Sequence, residues 1–131
     1  MRETMRDRGQ FWTPAPDRSA VLEGKGFFAR RVSGLGQTLV SGDLAAAIAS
    51  LAPRAREVGL WGVAAGDTYS VRIARDRALL VTPSPLGIEP GWRDGFVATP
   101  CDDAWAVIEM SGEALPDIVA EVDGRRLASK V

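Results

Sequence analysis

Residues 37–53, QTLVSGDLAAAIASLAP, decide the fold class because they pass from a strand pattern directly into a helix pattern. Residues 37–40 predict a β-strand. Asp43 is the expected N-cap of the helix, although Ser41 could also serve, and Pro53 ends it. The apolar residues of the helix recur at the spacing of one helical face, namely Leu44, Ala47, Ile48 and Leu51.

Outward from this stretch the sequence predicts more strands and a second helix. The predicted strands cover residues 27–32, 58–63, 69–74, 78–81 and 104–110, with a proline- and glycine-rich loop over 82–95. The second helix follows Ser111-Gly112 and ends at Gly124; Pro116 requires it to start nearer Glu113 or to bend there. Two helices with one apolar face each must cover one face of a mostly antiparallel sheet. The predicted fold is therefore α+β, of the ferredoxin-like (split βαβ) kind.

The domain prediction is an N-terminal arm over residues 1–26 and a single α+β domain over residues 27–131. The arm has charges, prolines and glycines without apolar periodicity. The domain is expected to enclose one core built from the helical faces and the two most apolar strands. Its predicted members are Ile48, Leu51, Leu79, Val107, Ile118 and Val119.

Composition excludes several classes of function. With 16 basic and 17 acidic residues, the chain lacks the basic excess that nucleic-acid-binding proteins usually show. Histidine is missing, and the single cysteine rules out an internal disulfide. No apolar run reaches the length of about 18 residues that crosses a bilayer, and the first ten residues lack the apolar segment of a signal peptide. The sequence predicts a cytoplasmic protein that binds neither nucleic acid nor membrane.

Three features could carry chemistry, and each has a structural alternative. Gly34-Leu35-Gly36 could cradle a phosphate, but the dinucleotide fingerprint requires a third glycine where Leu39 stands, so a structural turn is favoured. Glu109 could be an acid with a raised pKa inside a strand, or a carboxylate at a sheet edge with access to water, which is favoured. Cys101 has no histidine to activate it and is read as packing. We therefore predict no catalytic, cofactor-binding or metal-binding residue in this chain.

Large aromatic side chains in polar, loop-like sequence are the remaining candidates for function. Phe11 and Trp12 lie in the predicted arm, and Trp92 is followed by Arg93 in the predicted loop. Aromatic residues and arginine are enriched at protein interfaces. These four residues are the predicted contacts with a partner protein, with packing against their own domain as the alternative.

Three stretches resemble known one-carbon proteins. Residues 105–119, WAVIEMSGEALPDIV, resemble a strand-to-helix segment of folate-linked aminomethyltransferase folds. Residues 32–43, VSGLGQTLVSGD, and residues 69–81, YSVRIARDRALLV, resemble the gamma subunit of heterotetrameric sarcosine oxidase. The order and spacing of these stretches match that subunit over residues 27–122.

This resemblance implies an accessory, non-catalytic subunit. The flavin and the folate would be held by larger flavoprotein subunits, which demethylate sarcosine oxidatively, and this chain would pack against them without binding a cofactor itself. Two alternatives stay open. One is a free-standing folate-binding module that acts as a homodimer, like the N-terminal domain of a tRNA-modifying GTPase. The other is an interaction domain with no link to one-carbon metabolism.

Overall fold

The computed structural model describes residues 19–59 and 65–122. In chain order the elements are β1 (Val21–Gly24), β2 (Phe27–Val32), β3 (Gly36–Gly42), α1 (Leu44–Leu51), β4 (Arg56–Val58), β5 (Tyr69–Ala74), β6 (Arg77–Thr82), β7 (Gly91–Trp92), β8 (Phe96–Pro100), β9 (Val107–Ser111) and α2 (Leu115–Val122). Both described helices have eight residues, and neither is long and apolar enough to cross a membrane.

The chain divides into two compact units. Unit 1 combines the residues up to Arg31 with those from Ala106 onward, and unit 2 comprises Val32–Trp105. The predicted N-terminal arm over residues 1–26 and single domain over residues 27–131 stay a prediction. The strands also form two sheets where the sequence predicted one, with three strands in the order β1-β2-β9 and six in the order β4-β5-β6-β3-β8-β7. The coarser prediction, an α+β protein with mostly antiparallel sheets and two helices, is confirmed.

Helix α1 begins and ends where the sequence predicted. Asp43 is the N-cap, and its carboxylate Oδ1 accepts a hydrogen bond from the backbone N–H of Ala46 at 3.1 Å. The helix ends at Leu51, two residues before Pro53. Leu44 and Ala47 are buried, and Ile48 and Leu51 pack half-buried against the core. The predicted apolar face is therefore the one that covers the six-stranded sheet.

The core of unit 2 lies between α1 and this sheet. Its buried members are Val40, Leu44, Ala47, Ala52, Ala78, Leu80, Phe96 and Ala98. The prediction that Leu79 belongs to the core is wrong, because β6 turns Ala78 and Leu80 toward α1 and leaves Leu79 half-buried on the other face. In strand β5, Ser70 is buried while Ile73 is exposed.

Unit 1 holds the three-stranded sheet and α2. Strand β1 lies inside the predicted N-terminal arm and pairs antiparallel with β2. A backbone hydrogen bond links the turn before α2 to the turn between these strands: the N–H of Ala114 donates to the carbonyl of Gly26 at 2.9 Å. Pro116 is the second residue of α2, where a missing N–H costs no helical hydrogen bond.

Three further members of the predicted core are not in the buried cluster. Val107 and Ile118 are half-buried, and Val119 is exposed. All three belong to unit 1, whereas the buried cluster lies in unit 2. The prediction of one core that includes them is wrong, because the apolar spacing of α2 shows which residues share a face but not which sheet that face meets.

Candidate interaction surface

The short hairpin of β7 and β8 presents Trp92, whose residue surface is 80% exposed. The hairpin is closed by the backbone N–H of Arg93, which donates to the carbonyl of Phe96 at 2.8 Å. The guanidinium of Arg93 donates to the carbonyl of Glu89 at 3.0 Å and braces the approach to β7. The sequence predicted a loop here, and the structure forms a two-residue edge strand within it.

The turn of this hairpin is fixed to the start of α1. The carbonyl of Gly95 accepts a hydrogen bond from the backbone N–H of Asp43 at 3.0 Å. The approach is so close that a Cβ on Gly42 would lie 2.7 Å from the same carbonyl oxygen, and the φ of Gly42 is +116°. Asp43 thus caps the helix with its side chain and holds the hairpin with its backbone. Trp92 is consequently mounted on a backbone that is tied to the core.

Cross-strand pairing assigns Trp92 to the sheet face opposite α1. Trp92 pairs with Val97, which pairs with Ser41, which pairs with Arg77. Since Val40, Ala78 and Ala98 in the adjacent row face α1, this row and every second row from it face away from α1. We call this surface the Trp92 face; its strand residues include Leu39, Val58, Tyr69, Val71, Leu79, Val81, Trp92 and Val97, together with Arg56 and Arg77.

The Trp92 face combines apolar and basic groups. Its aliphatic side chains are half-buried, whereas Arg56 and Arg77 are exposed. Among the described strand residues on this face, no acidic side chain occurs. Arg77 lies three strands from Trp92 in the strand order, and Arg56 lies on the strand at the opposite edge of the sheet. Aromatic residues and arginine are both enriched at protein interfaces. The face is therefore suited to a partner surface that is apolar and acidic.

The segment after β8 has a structural role. The backbone N–H of Gln37 donates to Oδ1 of Asp102 at 2.8 Å, and its side-chain Nε2 donates to the carbonyl of Trp105 at 3.1 Å. The N–H of Cys101 donates to the carbonyl of Gln37 at 2.8 Å. Cys101 is a free, half-buried thiol. These bonds tie the segment to β3.

The glycine pair and Glu109 take the structural roles that were favoured. Gly34 has a φ of +81° in the turn before β3, and Gly36 is a strand residue on which a Cβ would overlap the Thr82 hydroxyl and the Ser84 carbonyl. Oε2 of Glu109 pairs with the Arg30 guanidinium at 3.0 Å, with about half of each side chain exposed. Strand β9 is a sheet edge, as expected for this carboxylate.

Of the four predicted partner contacts, the structure describes two. Trp92 and Arg93 are neighbours in the β7–β8 hairpin, with Trp92 exposed and Arg93 half-buried. Phe11 and Trp12 lie outside the described residues. The two arginines of the Trp92 face were not among the predicted contacts, because only the strand register shows that they share a face with Trp92.

Comparison of the chain with models of protein families, with curated proteins and with solved structures finds no match. The resemblance to the gamma subunit of sarcosine oxidase therefore stays a prediction.

Proposed function

We propose that this chain is an accessory, non-catalytic subunit that binds a larger protein through the Trp92 face. The observation that carries the proposal is the exposure of Trp92 on a hairpin fixed to the core. An exposed tryptophan on a rigid backbone loses little conformational freedom when a partner covers it. The partner buries a large apolar surface at small entropic cost.

The arginines define the chemistry of that partner. Arg56 and Arg77 place two positive charges on the Trp92 face without acidic neighbours among its described strand residues. A complementary partner surface carries carboxylates opposite them, which steers the encounter and fixes its register. The resemblance of residues 27–122 supplies the identity of the partner, a larger subunit of a sarcosine oxidase-type enzyme that holds flavin and folate.

The ferredoxin-like, split βαβ arrangement predicted from the order of elements also stays a prediction, since α1 and α2 belong to different units. The free-standing folate-binding module and the general interaction domain are the alternative functions. The folate-binding module predicts a different result in the experiment below.

The test is affinity capture from cells of the native host with the tagged full-length chain, followed by mass spectrometry and flavin absorbance of the eluate. We expect large flavoprotein subunits with the wild-type chain. Trp92→Ala should weaken their binding by about thirty-fold, because an interface anchor contributes about 2 kcal/mol or more. Leu22→Ala is the control, since Leu22 is also a large exposed apolar residue but lies on β1, outside the six-stranded sheet.

Two outcomes would contradict the proposal. Recovery of the chain alone, together with tight folate binding in calorimetry, would favour the folate module. Equal capture of the flavoprotein by the wild type and by Trp92→Ala would show that the Trp92 face is not the contact. Stability has to be measured in parallel, and we expect Trp92→Ala to change it by less than about 0.5 kcal/mol because Trp92 is exposed.

A further inference from the structure

A polar cleft opens in unit 2 beside the C-terminal end of α1. It has a volume of about 570 Å³, within the range of small-molecule sites. Its polar lining consists of Arg54, Asp67, Thr68, Thr82 and Ser84, and we call it the hydroxyl cleft. It is separate from the Trp92 face, because Thr82 lies on the face of β6 that α1 covers.

The floor of the hydroxyl cleft offers hydrogen-bond acceptors. Thr68 and Thr82 are 6% and 5% exposed. The Thr68 hydroxyl donates to Oδ1 of Asp67 at 2.9 Å, and the Thr82 hydroxyl donates to the carbonyl of Ser84 at 2.7 Å. Each hydroxyl has one proton, which it donates within the protein. Its oxygen lone pairs can therefore accept a hydrogen bond from a ligand.

The C-terminal end of α1 supplies further hydrogen-bond acceptors to the cleft. Pro53 has no N–H to donate to the carbonyl of Ala49, and the N–H of Ala55 donates to Ala52 instead of Leu51. The last turn of the helix therefore keeps carbonyls without helical donors, at the negative end of the helix dipole. Leu51, Ala52 and Pro53 all line the cleft, so this end of the helix favours a cation there.

Arg54 supplies the opposite charge at the same cleft. Ion pairs join Arg30 to Glu109 and Arg72 to Glu57, and among the described residues Arg54 and Asp67 are not paired with each other. Asp67 is held in place by its bond from Thr68, and the Tyr69 hydroxyl donates to the Gly66 carbonyl beside it. A positive and a negative group thus stand apart on the lining of one cleft.

We propose that the hydroxyl cleft binds a small zwitterion of the free α-amino acid class. The ligand's ammonium donates one of its three hydrogens to Asp67 and the other two to acceptors among the Thr68 and Thr82 hydroxyls and the carbonyl end of α1. Its carboxylate accepts from the guanidinium of Arg54. Leu51, Leu86 and the prolines at 53, 83 and 85 form apolar walls for the ligand's side chain.

The test is saturation-transfer NMR on the full-length chain with each of the twenty common L-amino acids at millimolar concentration. We expect at least one to bind. Arg54→Gln should weaken that binding by about ten-fold or more, since a charge-assisted hydrogen bond is worth about 1.5–3 kcal/mol. Arg75→Gln is the matched control, because Arg75 is an exposed arginine in the β5–β6 turn and does not line the cleft.

Acetate and methylammonium serve as half-ligands, and each should bind more weakly than the amino acid. If no amino acid binds, or if Arg54→Gln binds as well as the wild type, the proposal is overturned. Acetate binding as tightly as every amino acid would also overturn it, because the cleft would then be a simple anion site. Each of these outcomes is independent of capture through the Trp92 face, so the two proposals succeed or fail separately.

Discussion

Leu79 and Leu80 are neighbours in β6 that the structure assigns to opposite faces of the sheet, and a pair of alanine variants tests this assignment. Leu80 is fully buried beneath α1 and belongs to the core cluster. Leu80→Ala removes its buried carbons and leaves a cavity beneath the helix, so we expect a loss of about 3 kcal/mol or more in the free energy of unfolding. Leu79 is half-buried on the Trp92 face, and Leu79→Ala should cost about 1 kcal/mol, because less apolar surface is lost and water fills the space.

The comparison is matched because the two variants make the same chemical change in the same strand. Their effects on strand propensity and on the unfolded chain therefore nearly cancel. The assay is urea-induced unfolding followed by circular dichroism, with the midpoint and slope fitted for both variants. A cost for Leu79→Ala equal to or above that for Leu80→Ala would refute the register of β6. A shift of one residue would exchange the two faces, so this result would restore Leu79 to the core.

The remaining predictions concern stability. Asp43→Ala should cost about 1 kcal/mol in the free energy of unfolding, because the N–H of Ala46 loses its acceptor. An unchanged midpoint of urea-induced unfolding would contradict the role of Asp43 as the N-cap. Gly36→Ala should cost about 1–3 kcal/mol in the free energy of unfolding, because the new Cβ would overlap Thr82 and Ser84. Gly24→Ala is the control, since a Cβ there would meet nothing within 4 Å, and it should cost less in the same urea titration. Glu109→Gln should change the thermal midpoint little, because its exposed ion pair is worth about 0–1 kcal/mol after solvent screening, and a large drop would mean that the pair is shielded from water.

Short-range signals explain what the sequence predicted correctly. Helix α1 was predicted with its cap, its end and its apolar face, because each depends on residues within two turns of one another. Trp92 was predicted to be a partner contact because a large aromatic residue stands in polar loop sequence; the structure shows that it is exposed, and the contact itself stays a prediction. Pro116 was recognised as a constraint on where α2 could begin, and the structure begins the helix at Leu115.

Long-range pairing decided the rest. Residues 78–81 are apolar at every position, so alternation could not show whether Leu79 or Leu80 faces the core. Strands β1 and β7 have four and two residues, and their sequences have no strand pattern apart from the partners with which they pair. Unit 1 joins residues before Arg31 to residues after Ala106, a connection that no local pattern encodes.

In both proposed sites, the sequence supplies the residue types and the tertiary structure supplies their arrangement in space. The sequence by itself determined which residue types were available: one cysteine, no histidine, a tryptophan in a polar loop and scattered arginines and hydroxyls. Only the tertiary structure brought Arg56, Arg77 and Trp92 onto one sheet face, and the end of α1 beside Thr68 and Thr82. The physical reason is that strand register sets the face of every side chain at once, while the sequence of a single strand leaves that register free.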